Sequence, residues 1–443
     1  MRPSPIIIIG AGISGLAVAW ALKKRGADVL VLETHSFAGG AIQSVRQEGY
    51  LCERGPNTIL LSHPKTAELL GETGLLDAAL DASPHAKKRY VVQNGKLAPL
   101  PSSPPAFFVS PALSWRAKLR IFRDLWIPPD RDENITLAHF VRRRLGEEPL
   151  RELVDPFVSG VYAGDPERLV VRHALPELYQ MEQTHGSLIR GTFHLRREKA
   201  FPRRLISWPG GLSDLAKGLA KDLEGCIRFS TPVQSLERSG KQFRIVTPRE
   251  KFEAERVVIA ADAISAAGLL SPIFPGATSL SEMPHAPIGV IHLGFSRASI
   301  GHPLDGFGVL ISRARRIRTL GALFSSALFP GRAPEGRVLL TIFIGGRLDP
   351  EAIRMDDTAL VQTALKDMVP LLQISRPPVF QQVTRWSRAI PQYERDHPLM
   401  IKICEEAEKA FPGLHLIGNY RGGISLDHCI VNGARLAAGI LGD

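Results

Sequence analysis

The apolar pattern near the start of the chain predicts two neighbouring parallel strands joined by a helix. Ile6–Ile9 is a run of β-branched residues, which is typical of a strand buried in a parallel sheet. A glycine-rich turn follows, and apolar residues then recur with helical spacing as far as Leu22. A second apolar strand, Val29–Leu32, ends directly before the acidic residue Glu33.

Two later segments have the same short apolar character and predict that distant parts of the chain join this sheet. They are residues 254–260 and 414–418. The second segment leads into a glycine-rich turn and a helix from about residue 429 to residue 441. The domain that contains the sheet is therefore expected to be discontinuous along the chain.

A different pattern begins at about residue 281, where apolar strands alternate with turns as far as residue 392. The predicted elements are strands at residues 289–295, 306–311 and 338–345 and a helix near residues 357–372. Consecutive strands joined by turns favour an antiparallel sheet. We expect this sheet to form a substrate domain.

These patterns predict an α/β fold with a discontinuous Rossmann-type nucleotide-binding domain, an antiparallel-sheet substrate domain and a helical subdomain. The predicted bounds are residues 1–80, 205–280 and 404–443 for the nucleotide-binding domain, 81–98 and 281–403 for the substrate domain, and 99–204 for the helical subdomain. A length of 443 residues agrees with two or three linked domains.

Composition and charge narrow the classes of partner. Apolar residues make up 44% of the chain and charged residues 22%, which argues against a disordered chain or a polytopic membrane protein. Lysine and arginine number 55 against 44 acidic residues, so the net charge is +11. This balance suits an anionic substrate, an anionic membrane surface or nucleic acid. Nucleic acid is the least favoured partner, because the basic residues are dispersed and no recognition motif accompanies them.

The four cysteines and 13 histidines indicate neither a disulfide framework nor a metal site. The sequence contains no Cys-x-x-Cys pair and no histidine spacing typical of metal ligands. We therefore expect a cytoplasmic protein of a reducing compartment that binds no metal.

The glycine-rich turn is Gly10-Ala11-Gly12-Ile13-Ser14-Gly15. Residues without a β-carbon let the backbone approach a pyrophosphate, and the first amides of the next helix supply donors. Glu33 lies 18 residues beyond Gly15, where an acid can accept hydrogen bonds from a ribose. The same glycines argue against a targeting helix over residues 6–22. The turn is therefore expected to bind a dinucleotide.

After this unit the sequence continues with Gly39-Gly40 and the run Glu53-Arg54-Gly55-Pro56-Asn57-Thr58. This continuation resembles the FAD-binding region of the flavin amine oxidase superfamily, which includes monoamine oxidases, carotene desaturases and protoporphyrinogen oxidases. The resemblance implies FAD as the cofactor, with loop 55–58 near the flavin, Val233 at the adenine and the closing glycine-rich helix at the isoalloxazine. The cofactor-binding residues that it implies are Gly10, Ala11, Gly12, Ile13, Ser14, Gly15, Glu33, Thr34, Gly40, Ala41, Gly55, Pro56, Asn57, Thr58, Val233, Trp386, Gly418, Ile424, Ser425 and Leu426.

Further motifs lie along the rest of the chain, at residues 88–90, 156–166, 319–326, 343–346, 386–393 and 418–433. Together they resemble the protoporphyrinogen oxidase branch of that superfamily over essentially the whole chain. The resemblance implies that Arg89 pairs with a substrate propionate, Leu310 and Leu323 hold ring faces, Phe343 stacks on another ring and the Gly160 backbone lies over the flavin. By periodicity alone, Leu310, Leu323 and Phe343 are equally well explained as core residues.

The resemblance implies a six-electron oxidation of protoporphyrinogen IX to protoporphyrin IX by FAD, the penultimate step of haem biosynthesis. Oxygen would be the acceptor and hydrogen peroxide the product, and a ferrochelatase would receive the porphyrin. Because the cofactor performs the difficult step, no dedicated catalytic residue is expected. The main alternative is oxidation of coproporphyrinogen III. An amine oxidase, a desaturase or a tetrapyrrole-binding flavoprotein without turnover is less favoured.

Residues 99–129 are rich in proline and aromatic residues, with lysine and arginine interleaved. The candidate membrane-inserting side chains are Phe107, Phe108, Trp115 and Trp126, and the candidate headgroup-facing ones are Arg116, Lys118, Arg120 and Arg123. This interpretation predicts a protein held peripherally on the inner face of the cell membrane. The alternative is an ordinary buried helical subdomain.

Overall fold

The computed structural model describes residues 5–101, 110, 112–195 and 201–442. Its strands, in chain order, are β1 (Ile6–Ile9), β2 (Val29–Leu32), β3 (Ser44–Gln47), β4 (Tyr50–Glu53), β5 (Ile59–Leu61), β6 (Leu80–Asp81), β7 (Lys88–Gln93), β8 (Lys96–Pro99), β9 (Arg204–Ser207), β10 (Ile227–Arg228), β11 (Ser235–Ser239), β12 (Gln242–Val246), β13 (Lys251–Ala254), β14 (Val257–Ile259), β15 (His285–Ser296), β16 (Gly306–Leu310), β17 (Thr319–Leu323), β18 (Arg337–Gly345), β19 (Phe380–Pro391) and β20 (Leu414–Leu416).

The α-helices, in chain order, are α1 (Ile13–Lys24), α2 (Pro64–Glu72), α3 (Trp115–Ile121), α4 (Leu137–Arg144), α5 (Glu147–Pro149), α6 (Asp155–Tyr162), α7 (Val171–Ala174), α8 (Pro176–His185), α9 (Leu188–Leu195), α10 (Ser213–Asp222), α11 (Ala263–Leu270), α12 (Ser325–Leu328), α13 (Asp357–Leu372), α14 (His397–Ala410) and α15 (Leu426–Leu441). A 3₁₀ turn, Phe122–Leu125, directly follows α3.

The predicted β-α-β unit is confirmed and lies at the centre of a parallel sheet. The strand order is β10-β2-β1-β14-β20, so the sheet combines strands from three distant parts of the chain. Helices α1, α10 and α15 pack on one face, and α11 and α14 pack on the other. Burial on both faces explains why these strands are continuously apolar. The bounds of the domain division stay a prediction.

Several predicted element bounds differ from the structure, and two of these differences have a clear local reason. The strand predicted over residues 254–260 begins at Val257, because residue 254 ends β13 in a separate antiparallel sheet. The closing helix begins at Leu426, three residues before the predicted start, because the Ser425 side chain caps it. The turn before this helix is correspondingly short.

The second large sheet has the strand order β19-β15-β18-β17-β16-β7-β8. It is antiparallel, as predicted, apart from the pair β16–β7, which runs parallel. β7 comes from a part of the chain more than 200 residues before β16, so no hairpin dictates its direction. One face of the sheet packs against α13. On the other face, Phe343 and Trp386 are half-buried and pack against a separate cluster of buried apolar residues.

Arg144 organises the helical region from a fully buried position. Its guanidinium donates to the carboxylates of Asp124 and Glu182, which are also fully buried, and to three backbone carbonyls. Removing one partner from such a buried cluster costs roughly 3–5 kcal/mol. The cluster therefore fixes the turn Phe122–Leu125 against α4 and α8.

Candidate active site

The glycine turn between β1 and α1 has the geometry of an anion-binding site. Gly10 has a φ of +105°, and a Cβ on Gly15 would overlap the carbonyl oxygen of Gly10, so both positions require glycine. No described atom lies within 4 Å of a Cβ placed on Gly12. Gly12 supplies no side-chain cap, so the first amides of α1, at Ile13 and Ser14, can donate to a ligand. This open cradle fits the pyrophosphate of a dinucleotide.

Glu33 joins the segments that are predicted to bind the ribose and the adenine. Its buried carboxylate accepts hydrogen bonds from the amides of Ala11 (2.6 Å) and His35 (2.8 Å). Its carbonyl accepts from the amide of Thr231 at 2.8 Å, which brings the segment of Val233 beside it. A carboxylate accepts about four hydrogen bonds, so a ribose hydroxyl can still be accommodated.

A second glycine loop connects the first turn to the predicted flavin loop. The amide of Gly39 donates to the carbonyl of Ala11 at 2.8 Å, and Gly39 and Gly40 have φ values of +116° and +59°. A Cβ on Gly55 would overlap the carbonyl oxygen of Ala41. Residues 39–41 therefore lie between the two loops. The other predicted cofactor residues nearby are Thr34, which is exposed, and Pro56, Asn57 and Thr58, which are half-buried.

The closing helix, α15, begins at the same edge of the parallel sheet as α1, because both helices follow the carboxyl ends of parallel strands. Ser425 accepts the His428 amide at 3.1 Å, and Ile424 and Leu426 are half-buried beside it. A Cβ on Gly418 would come within 3.1 Å of the Ala261 carbonyl oxygen beyond β14. The N-terminal amides of α15 are thus placed at the dinucleotide edge.

The predicted substrate residues of the sheet share one face, as its strand register shows. One cross-strand row is Val91, Leu310, Gly321, Phe343, Val290 and Thr384, and the next is Arg89, Gly308, Leu323, Thr341, His292 and Gln382. The alternate residues, such as Tyr90 and Ile342, point instead to the core against α13. The register therefore places these residues on the face opposite the core, which we call the substrate-facing side because the predicted substrate residues lie there.

Contacts connect this face to the predicted flavin loop. Leu310 packs directly on Gly160 of α6, where a Cβ would overlap its side chain. The indole Nε1 of Trp386 donates to the carbonyl of Arg54 at 2.7 Å. Leu323 lines a cavity of about 10 Å³ together with residues 57–58. Leu310, Leu323, Phe343 and Trp386 are all half-buried.

Arg89 lies at the edge of this face with its side chain exposed. Its guanidinium carbon is 5.5 Å from the centre of the Phe307 ring. Among the residues that the structure describes, Arg89 forms no ion pair with a carboxylate. The guanidinium is therefore available to a carboxylate on a ligand.

A buried polar cluster that the sequence did not predict lies beside the predicted flavin loop. The Glu53 carboxylate accepts from Ser44 Oγ (2.5 Å) and the Leu212 amide (2.8 Å), and it lies 3.4 Å from the Arg332 guanidinium. Burial raises the pKa of Glu53 to about 6. His292, in the second cross-strand row, is also fully buried. The available signal for His292 was a single polar residue inside the apolar strand β15.

Acid should destabilise the fold through His292. Burial lowers its pKa to about 4, and the nearby Glu53 carbonyl only partly offsets this effect. Its folded pKa lies below the unfolded value of roughly 6.5, so its contribution is complete above pH 6.5 and is lost as the pH falls toward 4. We expect His292 to account for a decrease of about 2 kcal/mol in the free energy of unfolding between pH 7.5 and pH 5, measured by urea unfolding as the difference between the wild type and a variant without this imidazole.

Replacing His292 by leucine provides the matched variant, because neither ring nitrogen has a hydrogen-bond partner among the described residues. His292→Leu should not show the part of the decrease in the free energy of unfolding at pH 5 that comes from His292. Part of the acid sensitivity should persist in this variant, because burial also lowers the pKa of His397 to about 4. Equal acid sensitivity in the wild type and His292→Leu would contradict the prediction.

Comparison with known proteins agrees with this geometry. Residues 13–441 match the family model described as flavin containing amine oxidoreductase. A chloroplastic protoporphyrinogen oxidase from Nicotiana tabacum is 32% identical over 470 residues, covering 98% of this chain and 85% of the relative. A coproporphyrinogen III oxidase from Bacillus subtilis (strain 168) is 29% identical over 453 residues, covering 97% and 96%. A solved structure from Exiguobacterium sp. 255-15 has a TM-score of 0.83 at 23% identity and covers 100% of both chains.

The fold and the dinucleotide cradle define the protein as a flavin-dependent oxidoreductase, with FAD as its cofactor. The chain belongs to the flavin containing amine oxidoreductase family. The glycine turn, Glu33 and the N-terminus of α15 fit the pyrophosphate, the ribose and the flavin of that cofactor, respectively. The residue assignments themselves stay predictions.

Proposed function

We propose that this protein oxidises protoporphyrinogen IX to protoporphyrin IX, a six-electron reaction, with oxygen as the final acceptor. The observation that carries this proposal is the substrate-facing side of the second sheet. Half-buried leucine and phenylalanine side chains lie there next to the flavin loop, and the exposed cation Arg89 lies at its edge. An apolar ring system with carboxylate substituents matches such a surface.

Each part of the proposed site has a physical task. FAD, which the glycine turn, Glu33 and the N-terminus of α15 would hold, would supply the hydride-transfer chemistry for three two-electron oxidations, with oxygen as the final acceptor and hydrogen peroxide as its product. Leu310, Leu323 and Phe343 exclude water and hold the tetrapyrrole against the flavin. Arg89 fixes its orientation through a propionate, and a bidentate guanidinium is suited to that task. The N-terminus of α15, which has positive partial charge, would stabilise negative charge on the bound cofactor.

Oxidation of coproporphyrinogen III to coproporphyrin III is the second candidate, and the Bacillus subtilis relative supports it. That substrate has two more propionates and needs more cations. Three of the four arginines within residues 313–318 have partners within the protein, however, and the fourth, Arg316, is exposed. Arg313 donates to the Gly164 carbonyl, Arg315 pairs with Glu152, and Arg318 pairs with Asp349. Their pairing favours protoporphyrinogen.

Parallel assays distinguish the two substrates. Porphyrin fluorescence and oxygen uptake would be followed with protoporphyrinogen IX and coproporphyrinogen III at equal enzyme concentration. We expect a higher kcat/KM for protoporphyrinogen IX, with oxygen consumed and peroxide released. A higher value for coproporphyrinogen III would support the second candidate. Turnover of neither would contradict both.

We also propose that the helical region contacts an anionic membrane surface, from which the porphyrin product would pass to a ferrochelatase. Four apolar side chains lie exposed at helical spacing on α3 and the following turn: Trp115 (64% exposed), Leu119 (66%), Phe122 (41%) and Trp126 (76%). Arg116 and Arg123 are exposed beside them. Aromatic side chains flanked by arginine suit a headgroup boundary.

The structure changes the membrane prediction in detail. Lys118 does not face outward, because it is buried and donates to the Ser110 carbonyl at 2.7 Å. Arg120 turns inward to the carbonyls of residues 143–144. The predicted anchors Phe107 and Phe108 lie outside the described residues. Within the part of the chain that the structure describes, no helix has the length and apolar character needed to cross a membrane.

Flotation with phosphatidylglycerol vesicles tests this contact. We expect the wild type to float with the vesicles and the double variant Leu119→Ser/Trp126→Ser to lose most of this binding. Each Å² of apolar side chain that no longer inserts into the membrane costs about 25 cal/mol of binding free energy. Leu399→Ser is the matched control, since Leu399 is 53% exposed on α14. Wild-type protein that stays entirely in the soluble fraction would exclude the contact.

A further inference from the structure

Tyr393 is a fully buried tyrosine that follows the end of β19, the strand of Trp386. Its hydroxyl bridges the glycine-rich loop before α15. It donates to the carbonyl of Asn419 at 2.6 Å and accepts from the amide of Gly423 at 3.1 Å. The Tyr393 hydroxyl thus links Asn419 to Gly423, within the segment that is predicted to reach the flavin.

The ring of Tyr393 is held as firmly as its hydroxyl. It stacks on His397 with the ring centres 4.1 Å apart and the planes 25° apart. A ring nitrogen of His397 is 2.8 Å from the carbonyl oxygen of Tyr420, in the middle of the same loop. The loop is therefore held at three backbone groups, at Asn419, Tyr420 and Gly423, by two stacked side chains from another part of the chain.

The preceding residue connects the same junction to the proposed substrate site. Gln392 is fully buried, and its Nε2 donates to the carbonyl of Tyr162 at 2.9 Å. Tyr162 ends α6, the helix that places Gly160 against Leu310. Two consecutive residues after β19 therefore fix the flavin-side loop and the substrate-side helix relative to the second sheet.

We propose that Tyr393 is a positioning residue for the cofactor, which sets the loop 418–425 and the N-terminus of α15 against the flavin through its hydroxyl. The proposal rests on the flavin-site residues of the proposed function. Without the hydroxyl, the Asn419 carbonyl and the Gly423 amide lose a partner in a buried setting, and the loop relaxes. The helix terminus then moves from its place beside the cofactor, where it stabilises the reduced, negatively charged form.

The test is Tyr393→Phe, which keeps the ring and its stacking and removes only the bridging oxygen. FAD affinity would be measured by fluorescence titration of the apoprotein, and the midpoint potential by equilibration with a redox dye. We expect FAD to bind at least about 10-fold more weakly, as the loss of one to two net hydrogen bonds predicts, and the potential to become more negative. Unchanged affinity and potential, with only a lower Tm, would overturn the proposal.

The matched control is Tyr90→Phe. Tyr90 is also a buried tyrosine with a bonded hydroxyl, which donates to Asp305, but it faces the core side of the second sheet. We expect this variant to lose stability while FAD affinity and potential stay at the wild-type values. Equal losses of FAD affinity in both variants would assign the effect to general destabilisation and overturn the proposal.

A measurement on the wild type makes the test independent of variant folding. If the Tyr393 hydroxyl holds the loop, the Gly423 amide should be protected from hydrogen exchange in the FAD-loaded protein, although its loop lies close to the surface. Rapid exchange at Gly423 would overturn the proposal. None of these readouts uses a porphyrinogen, so the proposal about Tyr393 and the proposed substrate can fail separately.

Discussion

Gly15→Ala is expected to yield a protein that binds no measurable FAD. A Cβ at this position would overlap the carbonyl oxygen of Gly10 and lie 3.1 Å from the Cβ of Ala260. The first of these neighbours is backbone, so the overlap cannot be relieved by a rotamer change. The turn must open, and the amides that would face the pyrophosphate move away from it. We expect FAD affinity to fall by at least about 100-fold, more than 2.7 kcal/mol.

The flavin absorbance of the purified protein and titration of the apoprotein with FAD would measure this loss. Gly439→Ala is the matched control, because Gly439 lies in α15 with no described atom within 4 Å of a Cβ there. Alanine at a helix interior gains roughly 1 kcal/mol over glycine, so this variant should bind FAD normally and be slightly more stable. Wild-type FAD affinity in Gly15→Ala would refute the proposed pyrophosphate cradle.

Arg89→Ala is expected to retain FAD and lose efficient porphyrinogen oxidation. Arg89 is exposed at the edge of the substrate-facing side, and no ion pair engages it within the described residues. A charge-assisted hydrogen bond to a propionate contributes roughly 1.5–3 kcal/mol, so kcat/KM should fall about 10- to 100-fold. Steady-state kinetics would locate this loss mainly in KM if the contact holds the substrate equally in ground and transition states.

Arg89→Lys refines the interpretation of that result. Lysine preserves the charge but cannot form the planar, bidentate pair, so it should recover only part of the lost kcat/KM. The FAD content of both variants should equal that of the wild type, because the structure places no contact between Arg89 and the glycine turn. Unchanged turnover and KM in Arg89→Ala would remove Arg89 from the site.

The nucleotide-binding half of the fold could be predicted from local patterns. The apolar run Ile6–Ile9, the glycine spacing and the acid at residue 33 are all local in sequence, and the structure places them as expected. Most strand bounds of the second sheet agree with the predicted ones within a few residues. The parallel entry of β7 could not be predicted, because pairing between strands more than 200 residues apart has no local signature.

The substrate-facing side required the register as well as the pattern. Leu310, Leu323 and Phe343 look like core residues in the sequence, because a strand buried on both faces is apolar at every position. Only the pairing assigns them to the face opposite α13. Lys118 and Tyr393 also could not be assigned from local sequence. No neighbouring residue indicates that the Lys118 side chain turns inward to the Ser110 carbonyl. Nor does any indicate that the Tyr393 hydroxyl bonds to Asn419, 26 residues away.

The strand order of the parallel sheet also determines at which stage of synthesis on the ribosome this sheet can form. The strand β14, a neighbour of β1, follows it by about 250 residues, and β20 and α15 follow about 150 residues after β14. Such non-local pairing slows folding and leaves an apolar strand exposed while synthesis continues. Cofactor loading should therefore require synthesis past the start of α15 at Leu426, and nascent chains that stall before residue 414 should depend on chaperones to stay soluble.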